Sequence, residues 1–158
     1  MTPTQKDLVR ESWSKVLPIQ ETAAELFYGR LFSEYPEVAP LFKGDMKEQG
    51  EKLMKMLDQA VGSLDNIDAL EEPLKQSGRA HRAYGVKEED YGKVASCLLW
   101  TLGQGLGDAF DKKTKEAWVV TYQALSEMMI SGADYQTAIP AQAKKKPWFK
   151  RMLSRATA

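Results

Sequence analysis

Residues 78–86 read GRAHRAYGV, and the fourth of them, His81, is the only histidine in the chain. Apolar spacing predicts a helix over about residues 70–81 that ends at this histidine. One face of that helix carries leucines and small residues beside the imidazole: Leu70, Leu74, Ser77 or Gly78, and His81. The small residues leave room for a flat group. A histidine on such a face is more often a satisfied structural residue, and the alternative is a metal ligand.

An imidazole that binds a metal needs its other ring nitrogen fixed by a hydrogen-bond acceptor, which selects the tautomer. The sequence offers three candidates for that second partner. They are the backbone carbonyl one turn before His81, the Ser77 hydroxyl, and Tyr91, which follows ten residues later at the start of the next predicted helix.

Two polar side chains lie on the apolar faces of other predicted helices. A helix over about residues 46–64 carries Gln49 as the one polar member of its stripe, which comprises Met46, Gln49, Leu53, Met56, Leu57, Ala60 and Val61. A helix over about residues 22–32 carries Tyr28. Each could be an ordinary helix-edge residue. If both point into one apolar chamber, a small ligand with partial negative charge would satisfy their donors.

The remaining pattern is also helical. A first helix should begin at Thr2-Pro3-Thr4 and end at Pro18, and a short turn should run from Pro36 to Phe42. Two long helices follow at about residues 88–106 and 112–129, with glycines fraying the end of the first: Gly103, Gly105 and Gly107. No segment alternates with the period of a strand. About seven helical segments therefore predict an all-α domain.

Composition narrows the class of protein without identifying a partner. Lys plus Arg equals Asp plus Glu at 22 each, so net charge indicates no nucleic-acid partner. The single cysteine, Cys97, lies in an apolar run, fits a reducing compartment and is expected to be buried. The N-terminus is too polar for a signal peptide. We therefore expect a cytoplasmic protein.

Over about residues 4–132 the order and spacing of these elements resemble the globin family. The resemblance is closest to the single-domain bacterial haemoglobins related to the globin part of flavohaemoglobins. It rests on Gln49, Leu53 and Tyr91 together with four stretches: LFYGRLF (26–32), PEVAPLF (36–42), GRAHRAYGV (78–86) and EAWVVTY (116–122).

The resemblance implies a globin fold of about seven helices enclosing haem b, with the globin domain at residues 1–133. It implies that His81 is the axial iron ligand and that Tyr28 and Gln49 donate hydrogen bonds to the bound ligand. It places the haem against a set of mainly apolar residues: Phe42, Leu53, Leu57, Leu74, Val86, Tyr91, Val94 and Leu98. Lys52 could reach a haem propionate, with a solvated lysine as the alternative.

The chain departs from the flavohaemoglobin pattern at two places. Flavohaemoglobins have a glutamate late in the final helix, completing a His-Tyr-Glu network, where this chain has Gly132 or Ala133. Asp134 could substitute if the register slips by one. Without the carboxylate, the proximal histidine should gain less anionic character. We also expect no attached flavin and nicotinamide reductase, because the chain is too short to hold one.

Two distal donors predict tight oxygen binding with slow release, at a five-coordinate or weakly six-coordinate iron. Each hydrogen bond contributes about 1 kcal/mol or somewhat more. The alternative function is nitric oxide dioxygenation, with a separate electron-donating reductase; a haem-based gas sensor and a haem-free helical interaction domain are further alternatives. In the haem-binding cases the partners are the diatomic ligands oxygen, nitric oxide and carbon monoxide.

Residues 134–158 lie beyond the resemblance and form a basic tail. Six bases and no acid occur in residues 141–158. A short amphipathic helix beginning at Pro147 would contact a membrane surface or an acidic partner through residues 144–155, making the protein peripheral to the membrane. The alternative is a disordered, solvated tail.

Overall fold

The computed structural model describes residues 1–135, which contain six α-helices and no strand. The helices are α1 (Pro3–Val16), α2 (Gln20–Glu34), α3 (Met46–Gly62), α4 (Glu71–Ala83), α5 (Asp90–Leu106) and α6 (Lys112–Ala133). Short 3₁₀ turns cover Leu17–Ile19, Pro36–Leu41, Leu64–Leu70 and Gly107–Ala109. The all-α prediction is confirmed. The third of the seven predicted segments, from Pro36, is a 3₁₀ turn rather than an α-helix.

Local signals at the helix starts explain where several helices begin. Thr2 and Gln5 form a reciprocal capping box at α1, with Pro3 in the first turn, as predicted from the sequence. Asp45 accepts a hydrogen bond from the Lys47 backbone at the start of α3. These side chains satisfy backbone N–H groups that have no partner within the helix.

The core consists of two clusters of buried side chains. The larger one joins α1, α2, α3, α5 and α6, and includes Trp13, Phe27 and Trp118. The Trp118 indole donates a hydrogen bond to the Ser12 hydroxyl at 2.8 Å, so this buried polar group is satisfied. The smaller cluster joins α3 to α4, α5 and α6 through Ala60, Leu74, Tyr91, Leu125 and Met129.

The predicted stripe of α3 is wrong at one position. Met56 is 36% exposed, whereas Met54, which the prediction omitted, is 3% exposed. The buried face of α3 runs through Gly50, Met54, Leu57 and Val61, at intervals of three or four residues. Met56 lies outside that face.

The glycines near the end of α5 do not fray it. Gly103 and Gly105 are helical, and α5 continues to Leu106. A Cβ at Gly105 would lie 3.3 Å from the Ile19 side chain, so this glycine gives close packing rather than disorder. Gly107 ends the helix with a φ of 57°, which favours glycine.

Gly78 does not leave room for a flat group, contrary to the sequence-based expectation. A Cβ on Gly78 would collide with the backbone carbonyl of Met129 on α6. Reciprocally, a Cβ on Gly132 would collide with the backbone of Lys75 on α4. The two glycines therefore allow the backbones of α4 and α6 to touch, and this crossing determines the position of the helix that carries His81.

No helix within residues 1–135 has the length and apolar character needed to cross a bilayer. The predicted membrane-contacting segment at residues 144–155 lies outside the described residues.

We predict that Gly78→Ala lowers the free energy of unfolding by about 1–3 kcal/mol, because α4 must move off α6 to accept the methyl group. Gly29→Ala is the matched control. Gly29 is exposed inside α2 with nothing within 4 Å of an added Cβ, so this change should stabilise by about 0.5–1 kcal/mol. Urea unfolding measures both. Equal stability of the Gly78→Ala variant and the wild type would contradict the proposed crossing.

Candidate functional site

The imidazole of His81 is fixed by the preceding turn of its own helix. Its Nδ1 lies 2.6 Å from the Ser77 backbone carbonyl oxygen and 3.3 Å from the Ser77 hydroxyl. A carbonyl oxygen can only accept, so Nδ1 carries the proton and donates it. The other ring nitrogen, Nε2, then holds a free lone pair. Of the three acceptors considered from the sequence, the carbonyl one turn earlier makes the shortest contact.

The backbone after His81 folds back on the end of α4. The His81 carbonyl accepts hydrogen bonds from the backbone N–H groups of Tyr84 at 3.1 Å and Val86 at 3.0 Å. Gly85 makes this return possible with a φ of 102°, a conformation that side chains rarely adopt. The turn therefore belongs to the same rigid unit as the histidine.

Tyr91 lies inside the smaller core cluster and makes no hydrogen bond to His81. Its hydroxyl is buried and has no hydrogen-bond partner among residues 1–135. Its backbone carbonyl accepts a hydrogen bond from the Tyr122 hydroxyl at 2.9 Å. Burial, with a smaller contribution from Tyr135, raises the pKa of Tyr91. The phenol is therefore neutral at physiological pH.

Tyr28 and Gln49 come together, but through the main chain of Gln49. The Tyr28 hydroxyl donates to the Gln49 backbone carbonyl at 3.3 Å. Both residues are half-buried, and burial raises the pKa of Tyr28 to about 12. The Tyr28 ring meets Phe27 and Phe42 edge to face, at centroid distances of 4.9 and 5.4 Å. The expected phenol and side-chain amide pair is thus a phenol and backbone pair.

The predicted haem-contacting residues divide between the two core clusters. On the side of the larger cluster lie buried and half-buried members of the set: Phe42, Leu53, Leu57, Val94 and Leu98. On the side of the smaller cluster lie Leu74, Val86 and Tyr91. Lys52 is exposed. The set is therefore not confined to one cluster.

A groove of about 810 Å³ runs between α2 and α3. Its walls include Ala24, Tyr28, Phe32, Gly50 and Met54. None of the residues that line it comes from α4, α5 or α6. Tyr28 therefore borders this groove in addition to its contacts with Phe27 and Phe42.

The three residues considered at the position of the flavohaemoglobin glutamate lie at the end of α6. Gly132 and Ala133 are buried, and Asp134 is an exposed helix cap with a φ of 55°. Tyr135, which the sequence analysis did not single out, packs against the smaller cluster and donates its hydroxyl to the Val86 carbonyl at 2.7 Å. No periodic pattern pointed to it, because it follows the last helical residue.

The chain belongs to the globin family, because the family model named Globin matches residues 25–129. The resemblance inferred from the sequence is confirmed at that level. Globins bind haem and, through it, gaseous ligands.

Individual globins resemble the chain over most of its length. Neuroglobin from Tetraodon nigroviridis is 29% identical over 146 residues, covering 84% of this chain and 92% of the neuroglobin. The structure of a bacterial globin from Campylobacter jejuni superposes with a TM-score of 0.75 at 26% identity, covering 87% of this chain and 99% of that one. A third relative is an engineered carbene transferase made from RmaNOD, a Rhodothermus marinus protein assigned as a nitric oxide dioxygenase. Its structure superposes with a TM-score of 0.78 at 25% identity, covering 90% of this chain and 99% of that one.

Proposed function

We propose that this globin holds haem b through His81 and binds molecular oxygen tightly. The observation that carries the proposal is the short contact between His81 Nδ1 and the Ser77 carbonyl oxygen, at 2.6 Å. It fixes the tautomer that leaves Nε2 free to bind iron, and it holds the ring in one orientation. A porphyrin supplies the other four nitrogen ligands, so one imidazole is sufficient.

Several of the residues predicted to contact haem are apolar and only partly covered. Half-buried apolar side chains border the larger cluster at Phe42, Leu53 and Val94, and Val86 borders the smaller one. Such residues gain stability when a hydrophobic partner covers their remaining exposed surface. We propose that the porphyrin is that partner.

Tyr28 is the proposed hydrogen-bond donor to the bound gas. At 3.3 Å its hydrogen bond to the Gln49 carbonyl is long, so the hydroxyl can exchange it for a better acceptor at little cost. A pKa near 12 keeps the phenol protonated and therefore a donor. We propose that the Gln49 side chain is the second donor. When bound, the haem iron supplies reversible coordination of a diatomic molecule, and these donors favour the polar ligand oxygen.

The histidine count limits the coordination of the iron. Because His81 is the only histidine, one chain cannot place a second imidazole opposite the first. We therefore propose that a ferrous iron held by His81 would be five-coordinate, or weakly six-coordinate through Tyr28.

We predict that His81→Ala abolishes the Soret band of the purified protein or shifts it, because the axial ligand is lost. Adding free imidazole should restore the wild-type spectrum. Ferric, ferrous and oxygenated absorption spectra measure this. An unaltered Soret band in the His81→Ala variant would refute the haem assignment.

We predict that Tyr28→Phe raises the oxygen dissociation rate constant about fivefold, since it removes one hydrogen bond of about 1 kcal/mol. The carbon monoxide rate should change less, because that ligand is less polar. Tyr84→Phe is the matched control, since Tyr84 is 73% exposed. Stopped-flow oxygen displacement gives the rates. If Tyr28→Phe and wild type release oxygen equally fast, Tyr28 is not the donor.

A second candidate function is nitric oxide dioxygenation, which the likeness to RmaNOD favours. The reaction converts nitric oxide, oxygen and one electron to nitrate, so it needs an external reductase.

We predict that, with such a reductase and nicotinamide cofactor, the protein consumes many equivalents of nitric oxide and forms nitrate stoichiometrically. Consumption that stops after one equivalent, despite continued reduction, would exclude this function and leave oxygen binding.

A further inference from the structure

The end of α6 is bonded directly to the segment that carries the candidate iron ligand. Arg82, the residue after His81, donates its guanidinium to the backbone carbonyls of Ala133 at 2.8 Å and Asp134 at 2.7 Å. These are carbonyls at the C-terminus of α6, where a cation is also favoured by the helix dipole. The end of α4 and the end of α6 are therefore joined.

Asp134 turns the chain so that the next residue faces α4. Its φ of 55° and ψ of 50° lie in the left-handed region, which ends the helix. Tyr135 then reaches back and donates its hydroxyl to the Val86 carbonyl at 2.7 Å. The Arg82 guanidinium lies over the Tyr135 ring, 5.4 Å from its centroid, which adds a cation–π contact.

Val86 connects this tyrosine to the histidine through a single residue. Its carbonyl accepts from Tyr135 at 2.7 Å, and its backbone N–H donates to the His81 carbonyl at 3.0 Å. Two consecutive hydrogen bonds therefore link the Tyr135 hydroxyl to the backbone of His81. Any movement of the turn at residues 84–86 would move the end of α4.

The buried hydroxyl of Tyr91 lies on the same side. It has no hydrogen-bond partner among the described residues, which is costly for a buried polar group. Tyr91 and Tyr135 both belong to the smaller core cluster, as does Val86.

We propose that Tyr135 is a positioning residue for the iron-binding histidine, holding the turn after His81 through Val86. The proposal rests on the haem site proposed above. Tyr135 is neutral, and it follows the buried Gly132 and Ala133 that stand where the resembling flavohaemoglobins have a glutamate. It therefore fixes the geometry of the proximal side without adding negative charge to the imidazole.

The test uses Tyr135→Phe in the haem-loaded full-length protein. This variant keeps the ring and its contact with Arg82 but loses the hydroxyl. Loss of an outer-shell hydrogen bond typically weakens a metal site by about tenfold or more, so we expect haemin transfer to an acceptor apoprotein to be about tenfold faster. The iron–histidine stretching frequency of the ferrous form, measured by resonance Raman spectroscopy, should shift as well. Tyr135→Leu should show both effects more strongly.

Tyr84→Phe is the matched control, because it removes an exposed hydroxyl from the same turn and should change neither value. Wild-type haemin transfer and stretching frequency in Tyr135→Phe would overturn the inference, as would an equal change in Tyr84→Phe. If His81→Ala loses haem binding while Tyr135→Phe behaves as wild type, only this inference fails. If His81→Ala retains its haem spectrum, the proposed function fails with it.

Discussion

The contact between the backbones of α4 and α6 is the constraint on which the candidate site depends. Gly78 and Gly132 let the two helices touch at two points, and no side chain can stand between them. Because packed interiors do not deform continuously, this contact fixes the height and rotation of α4. His81 lies one turn beyond Gly78, so its imidazole takes its place in the interior from a contact made by backbone atoms alone.

The hydrogen-bond partner of the His81 imidazole is polar but uncharged. Its Nδ1 donates to a neutral carbonyl of Ser77, and the phenols of Tyr91 and Tyr122 both have pKa values raised by burial. A buried carboxylate would need a paired cation to offset its desolvation. At the position where flavohaemoglobins have their glutamate, α6 has a glycine instead. In the proposed haem site, a neutral partner would leave the imidazole less electron-rich than a carboxylate would, which would favour reversible ligand binding over oxygen–oxygen cleavage.

The sequence predicted the helices well, because apolar periodicity and local caps such as Thr2 and Asp45 act over short distances. It failed where the role of a residue depends on a backbone segment that is far away in the sequence. Gly78 was predicted to leave space beside His81, but the backbone of α6 occupies that space. Tyr135 was missed because its role depends on the left-handed turn at Asp134, which no periodicity signals. Tyr28 and Gln49 do lie together, but the Tyr28 hydroxyl donates to a main-chain carbonyl, which a side-chain pattern cannot reveal.

In the proposed haem site, a neutral proximal partner would leave the control of ligand affinity to the distal residues. With one histidine in the chain, no second imidazole of the same chain would compete with the bound gas, so affinity would depend on the side chains that the gas meets. Tyr28 is anchored by aromatic contacts with Phe27 and Phe42, which hold the ring while its hydroxyl keeps only a long hydrogen bond. A fixed ring with a loosely held donor loses little entropy when it engages a ligand. Under the proposed function, retention of oxygen would therefore come from a preorganised phenol and not from electronic push by the histidine.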